Sequence, residues 1–359
     1  LNSKYQTTKS EIPLFLAGLN YKSNPVEVRE KFAFLNDCDS LNKAYEEFSH
    51  RIGPVLILST CNRTEVYLST DKPLAALEEE VACIFAQIKG LDISFVKEHL
   101  IFTHGNDVVE HLFKVSAGLD SMIPGEGQIL HQLKNSYFKS SSYCDALLNQ
   151  LAQKALAAGK KARSQTKISQ GAVSVPAAAL QLAQSIIAPA NLSQIQIMIF
   201  GTGEVAELAL ELIASYEASK TTTVVSRSEK SHSLMLTKYG VSQGITYSQL
   251  KDFIREQDLI VVCTSAPHYV LTQDDLHGLK KDLIVCDMTL PRNVDPQISS
   301  LPYVNLIDLD HLKRSVESNL SQRKAEIDKA LLITKSEIER FNGWFYSRKN
   351  KFNDLFVNF

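Results

Sequence analysis

The 359-residue sequence predicts a multidomain protein of combined α/β and α+β class: an α+β domain first, a Rossmann-like doubly wound domain second and a long C-terminal helix last. Three observations predict it. Short apolar runs bounded by Gly, Pro and Ser are mixed with helical patterns in the first half. From Ile195 onward, apolar strands alternate with helices around a glycine-rich turn. From Asp310 to about Trp344 there is no proline, and no glycine before Gly343. At ~150 residues per domain the length suits two or three domains, each large enough to bury its own core.

The elements follow in order. Pro13–Gly18 (PLFLAG) and Pro54–Ser59 (PVLILS) read as buried strands, and the alternating Thr64–Leu68 (TEVYL) can pair with them. Helical periodicity appears in Leu74–Ile88, Val108–Ala117 and Ile129–Phe138. This α+β domain is expected over residues 1–165. Ile195–Phe200 and Thr222–Val225 are strands, each followed by a helix, Glu204–Tyr216 and Ser228–Lys238. Further segments at Ile245–Tyr247, Leu250–Glu256, Leu259–Thr264 and Leu283–Asp287 continue the rhythm into a parallel sheet, expected over residues 166–309. Leu312, Val316 and Leu320 then recur at helical spacing. Roughly 35 such residues make a helix on the order of 50 Å long. Residues 310–359 are therefore expected to form a spine or a surface offered to another subunit.

Hydrophobic residues at 44% and charged residues at 22% exclude a disordered or fibrous chain. With 38 Lys+Arg against 40 Asp+Glu, no global basic field announces nucleic acid. A local stretch does exist, in Lys154, Lys160, Lys161, Arg163 and Lys167; it either meets phosphates or is a solvated helix face. The six cysteines are scattered, without a C-x-x-C pair or metal-ligand spacing, which suits reduced thiols in a cytoplasmic protein and no metal site. No apolar run nears the ~18 residues of a membrane helix, and the polar N-terminus has no signal-peptide core.

Gly201-Thr202-Gly203-Glu204-Val205-Ala206 is a G-x-G-x-x-A turn between a strand and a helix, the context that gives this motif its meaning. Gly201 permits the tight turn, Gly203 lets backbone approach a pyrophosphate, and Ala206 lets the helix pack close. The helix N-terminus offers unpaired N–H groups to phosphates. The next strand runs into Ser226-Arg227-Ser228 with no carboxylate for ribose hydroxyls. A guanidinium between hydroxyls suits a 2′-phosphate, which favours NADPH over NADH.

Ser59-Thr60-Cys61-Asn62-Arg63-Thr64-Glu65 follows an apolar strand directly, so Cys61 sits where a strand emerges into a loop. A lone Cys is often a small buried hydrophobe. Here Thr60, Asn62 and Arg63 surround it, and Arg63 can either stabilise a thiolate or clamp a carboxylate. His111 borders the apolar face of its helix, as a core histidine or as an acid or base beside a cleft. Ser121, Glu126, Gly127, Gln128 and Gln132 follow in a loop and helix start that can read a small polar substrate. A nucleophilic thiol with a nicotinamide domain implies thioester formation from an activated acyl group, then reduction to an aldehyde.

The stretches GLNYKSNPVEVREKFAF (Gly18–Phe34), LSTCNRTEVYLS (Leu58–Ser69), HLFKVSAGLDSMIPGEGQIL (His111–Leu130), ISQGAVSVPAAA (Ile168–Ala179), GTGEVAEL (Gly201–Leu208) and CDMTLPRNVDP (Cys286–Pro296) go further. In these the sequence resembles the glutamyl-tRNA reductase family, through most of the chain and in family order. The resemblance implies NADPH-dependent reduction of glutamyl-tRNA(Glu) to glutamate-1-semialdehyde, the first step of tetrapyrrole (haem) biosynthesis from glutamate. It places Cys61 as the thioester-forming nucleophile and His111 as a residue important for activity, here assigned to protonating the departing ribose oxygen. Thr60, Asn62, Arg63, Ser121, Glu126, Gln128 and Gln132 fall on substrate-contacting positions, with Gly127 among them. Arg63 corresponds to the partner of the glutamate carboxylate, Glu126 to that of its ammonium, and Gly201–Ala206 to the NADPH loop. Hand-over to glutamate-1-semialdehyde aminomutase and a homodimer are also implied. The chain stops at Phe359, where family members continue through more helices, so a truncated dimerisation region is expected, and His131 stands where Gly usually follows QIL.

Two other classes fit the residues alone: a thiol-dependent NADP aldehyde dehydrogenase that needs no tRNA, and a non-catalytic nucleotide- or tRNA-binding regulator. A shikimate-dehydrogenase-like enzyme accounts for the second domain but not for the STCNR segment.

Overall fold

The computed structural model describes residues 12–34, 38–169, 174–312 and 324–357. Val316, Leu320 and positions 170–173 of the ISQGAVSVPAAA stretch lie outside them. The chain forms two compact units, Leu1–Ala172 with Leu320–Phe359, and Val173–Asn319.

In the first unit, β1 (Leu14–Asn20), α1 (Val26–Phe32), α2 (Cys38–Arg51), β2 (Val55–Ser59), β3 (Arg63–Ser69), α3 (Leu74–Lys89), α4 (Ile93–His99) and β4 (Ile101–His104) come first. They are followed by α5 (Asn106–Ser116), α6 (Gln128–Ser140) and α7 (Ala146–Gln165). The strands form an antiparallel sheet in the order β2-β3-β1-β4. Strand periodicity sends Phe15, Ala17, Val55, Ile57, Val66 and Leu68 to one face, where Phe48 of α2 and Phe85 of α3 pack on them. Leu14, Leu16, Leu56, Leu58 and Tyr67 face the other way, onto Leu112 and Phe113 of α5 and Leu151 and Ala155 of α7. With both faces covered, these strands read as unbroken apolar runs, which is why β1 and β2 were legible. Sequence reading passed over β4, four residues long, and the polar α2, which buries only Ala44, Tyr45 and Phe48.

The second unit contains α8 (Val175–Ile187), β5 (Ile197–Phe200), α9 (Glu204–Ser215), β6 (Thr222–Ser226), α10 (Glu229–Tyr239) and β7 (Gln243–Thr246). Then come α11 (Leu250–Phe253), β8 (Leu259–Val262), β9 (Leu283–Asp287) and β10 (Val304–Ile307). All six strands are parallel, in the order β10-β9-β8-β5-β6-β7. Strand order reverses between β5 and β8, and ligands of such sheets sit at the carboxyl ends of the strands at that switch point. This is the expected doubly wound domain.

The last helix, α12 (Lys324–Val357), is 34 residues long. It lies along α5 and α7: Ala330, Thr334 and Phe341 are buried, and the Phe341 ring is 6.0 Å from that of Phe113. Lys161 pairs with Glu337 of α12 at 2.6 Å. Arg163 donates to the carbonyl oxygens of Ser116 and Glu126 at 2.8 and 2.9 Å. The basic stretch along α7 and just past its end is therefore divided: two of its five cations serve the fold, and Lys154, Lys160 and Lys167 are exposed. None of the described helices is long and apolar enough to cross a membrane.

Candidate active site

Cys61 occupies the turn between β2 and β3, half-buried. The turn builds itself: the Thr60 hydroxyl accepts the backbone N–H groups of Asn62 (3.1 Å) and Arg63 (3.2 Å). Buried Arg29, from α1, donates to the Cys61 carbonyl at 2.6 Å and to the Asn62 side-chain oxygen at 3.2 Å. The polar atoms of Thr60 and Asn62 thus hold the turn that presents the thiol.

Beside it lies a buried charge network on β3. Arg63, Glu65 and Tyr67 alternate along the strand and share one side of it. The Arg63 guanidinium, 1% exposed, donates to Glu65 Oε1 at 2.6 Å and reaches Asp120 Oδ2 at 3.3 Å; it also donates to the Asp120 backbone carbonyl. Its Nε has no hydrogen-bond partner among the described residues. Tyr67 donates to the second Glu65 oxygen, and Lys22 pairs with the other Asp120 oxygen. His111 Nε2 lies 2.8 Å from Glu65 Oε1, and its Nδ1 lies 3.9 Å from Asp120. Burial opposes the Glu65 charge, but Arg63 and His111 outweigh it and hold the carboxyl well below the usual range. An ionised carboxylate only accepts, so Nε2 carries the proton toward Glu65, leaving Nδ1 as the atom available for proton transfer. Glu65 fits because Gly18 stands opposite it on β1: a Cβ there would come within 2.9 Å of the Glu65 side chain.

The loop before α6 completes the site. Gly125 N–H donates to the Gly118 carbonyl at 2.9 Å, closing a loop that buries Ser121 and Glu126. Tyr21 donates to the Ser121 carbonyl at 3.0 Å. Gln128 opens α6 and Gln132 follows one turn later on the same side, while Gly127 is exposed. Burial pushes the Glu126 carboxyl up to about 7, against the charges of Arg63 and Arg163. Burial, and then the Glu126 charge, push the Cys61 thiol up to about 11, against smaller pulls from Arg29 and Arg63. Of the two roles open to Arg63, its pull on the thiol is the smaller influence here, because burial and Glu126 outweigh it and Glu65 and Asp120 already pair with the guanidinium. Replacing Glu126 with Gln removes the anion that helps keep the proton on sulfur. Alkylation of Cys61 by iodoacetamide at pH 8 should then run about 3- to 10-fold faster, since one pKa unit is tenfold in thiolate. An unchanged or slower rate contradicts this account.

In the second unit, Gly201 has φ +115°, and a Cβ on it would lie 2.7 Å from the Cys263 carbonyl oxygen at the end of β8. Nothing lies within 4 Å of a Cβ on Gly203, and α9 has no side-chain cap, so Thr202, Gly203, Glu204 and Val205 surround open backbone N–H groups while Ala206 is buried. This cradle fits a dinucleotide pyrophosphate. Arg227 is exposed at the end of β6. Ser226, expected to flank it, is instead buried: its hydroxyl donates to the Ser228 carbonyl at 2.7 Å and contacts His232. Only Ser228 is left exposed beside the guanidinium. Asp287, in the CDMTLPRNVDP stretch, accepts the N–H groups of Thr289, Asn293 and Val294, and Asn293 in turn ties the loop after β8 through the carbonyls of Ala266 and His268.

Sequence reasoning missed Glu65, Tyr67, Asp120 and Arg29. The signal was present for three: charged and hydroxyl-bearing residues at alternate positions of an otherwise apolar strand, and an Asp directly before Ser121.

A thiol on a strand-end turn and a dinucleotide cradle in one chain define a class: cysteine-bearing, nicotinamide-dependent oxidoreductases. Residues 17–166 match the family described as Glutamyl-tRNAGlu reductase, N-terminal domain, and residues 181–315 match Shikimate / quinate 5-dehydrogenase. The glutamyl-tRNA reductase of Thermus thermophilus is 36% identical over 93% of this chain and 81% of its own length. That of Thermodesulfovibrio yellowstonii is also 36% identical, over 93% and 80%. The solved structure of glutamyl-tRNA reductase from Methanopyrus kandleri is 25% identical, with a TM-score of 0.52 over 95% of this chain and 82% of that one. The chain belongs to the glutamyl-tRNA reductase family.

Proposed function

We propose that the chain reduces the esterified glutamate of glutamyl-tRNA(Glu) to glutamate-1-semialdehyde with NADPH, through a thioester on Cys61, as the first step of tetrapyrrole formation. The observation that carries this reading is the Cys61 turn set beside the buried Arg63–Glu65–His111 network. The glutamate side-chain carboxylate takes the place of the Asp120 carboxylate on Arg63, and Asp120 keeps Lys22. Ser121, Gln128 and Gln132 line the remaining polar face.

A substrate ammonium beside Glu126 cancels the anion that holds the thiol proton, so the substrate itself promotes ionisation of Cys61. The thiol proton is released to solvent and Sγ bonds to the ester carbonyl carbon. His111, with its Nε2 proton kept toward Glu65, takes a second proton from solvent on Nδ1 and gives it to the ribose oxygen as the carbon–oxygen bond breaks, leaving glutamate as a thioester on Cys61 and tRNA with a free hydroxyl. Gly201–Ala206 would hold the pyrophosphate of NADPH, and Arg227 with Ser228 its 2′-phosphate. A bound nicotinamide supplies the hydride that turns the thioester into the aldehyde. Cys61 then leaves as thiolate and regains its proton. Assembly as a homodimer and hand-over to glutamate-1-semialdehyde aminomutase belong to the same proposal.

The test is a product assay with intact or ribonuclease-treated glutamyl-tRNA and with NADPH or NADH. Aldehyde should form efficiently only with intact substrate and NADPH. Equal activity after ribonuclease treatment would favour an aldehyde dehydrogenase that needs no tRNA.

A further inference from the structure

We propose that the outward face of α6 grips the unpaired 3′ end of the aminoacylated RNA, with Phe138 as a stacking platform for a base and Lys134 and Lys139 as phosphate contacts. This rests on the reading of glutamyl-tRNA as substrate and deepens it.

Helix α6 grows directly out of the substrate loop, so its first turn belongs to the site and its later turns lead away from it. Ile129, Leu133 and Ser140 face inward. His131, Lys134, Asn135, Phe138 and Lys139 are exposed, and at 100° per residue they form one arc continuous with Gln128 and Gln132. The sequence of this helix, QILHQLKNSYFKS, contains no acidic residue, in a chain that has 40. A polyanion can therefore lie along it without meeting a like charge from the helix itself.

Phe138 is 62% exposed, the most exposed aromatic among the described residues. Lys134 Nζ stands 5.7 Å from the ring centroid, and the Tyr137 ring is 6.2 Å away. Water-exposed phenylalanine with cations around it matches the construction of single-strand binding surfaces, where a ring takes a base and neighbouring cations take the phosphates. From Gln128 to Phe138 the helix rises ~15 Å, a span a few unpaired nucleotides cover when their terminal ester lies at the site. Such a grip is independent of base sequence and places the ester rather than reading the RNA.

The test is equilibrium binding of unacylated tRNA(Glu) transcript to the full chain at several salt concentrations. Phe138→Ala should weaken binding about 10-fold, and Phe138→Trp should retain it. Lys134→Ala and Lys139→Ala should each lower the log–log salt slope by about 0.7. A transcript lacking the unpaired 3′ nucleotides should bind wild type more weakly and be insensitive to Phe138→Ala. Melting temperature and Cys61 alkylation should not change in these variants. If wild type binds tRNA and accepts glutamate while the α6 variants bind as well as it does, the α6 surface is wrong and the substrate reading stands. If wild type neither binds tRNA nor accepts glutamate from it, the substrate reading fails and takes this proposal with it.

Discussion

Replacing Glu65 with alanine is expected to abolish turnover and to destabilise the first unit by ~3–5 kcal/mol, the usual cost of removing one member of a buried ion pair. Glu65 accepts from Arg63, His111 and Tyr67 at once, in a position that water does not reach. Without it the Arg63 guanidinium keeps only Asp120, and the His111 ring loses the bond that fixes its orientation. Chemical denaturation reports the first loss and single-turnover acylation of Cys61 the second. Glu65→Gln keeps the shape but not the charge, and should fall between the two. The pH dependence has a definite sign. The folded carboxyl is held below its unfolded value of ~4.3, so its stabilisation is complete above that value and disappears as pH falls below it. Wild type should therefore lose more stability than Glu65→Gln on acidification below about pH 5. An alanine variant with wild-type stability and acylation would show the network to be incidental.

Gly201→Ala should damage the second unit in two ways. Its φ of +115° is one that L side chains avoid, and its new Cβ would stand 2.7 Å from the Cys263 carbonyl oxygen. Strain of this kind costs on the order of 1–3 kcal/mol, and relief by movement of the turn would displace the phosphate cradle. Gly203→Ala provides the contrast, because its Cβ meets only open space. That variant should fold as wild type does and still lose NADPH affinity by about 10-fold or more, since the methyl enters the path of the pyrophosphate. Thermal melting with nucleotide titration separates the two. Gly203→Ala binding NADPH normally would contradict the placement of the phosphates.

Much of this architecture is legible in the sequence, and the reasons are local. The strands β1, β2, β5, β8 and β9 are covered on both faces, so each is a dense apolar run, and Gly201–Ala206 sits between such a strand and a helix. What escaped the sequence depends on register. Nothing in the one-dimensional text says that Gly18 stands across from Glu65, or that Arg29, on a separate helix, reaches back to the Cys61 carbonyl. Hydroxyls were misjudged for a related reason: Ser226 looks like a ligand contact but bonds inward to Ser228, because a buried hydroxyl takes the nearest carbonyl. The basic stretch hid a similar division: Arg163 looks like a charge offered to phosphate, yet it is engaged by carbonyl oxygens of its own unit.

The most direct measurement of the central claim uses glutamyl-tRNA labelled in the amino acid, mixed with the full chain in the absence of NADPH and resolved under denaturing, acidic conditions. Wild-type protein should acquire label in stoichiometric amount, Cys61→Ser should acquire none, and later addition of NADPH to the wild-type adduct should release the label as glutamate-1-semialdehyde. Equal labelling of Cys61→Ser, or full reductase activity in that variant, would contradict the account.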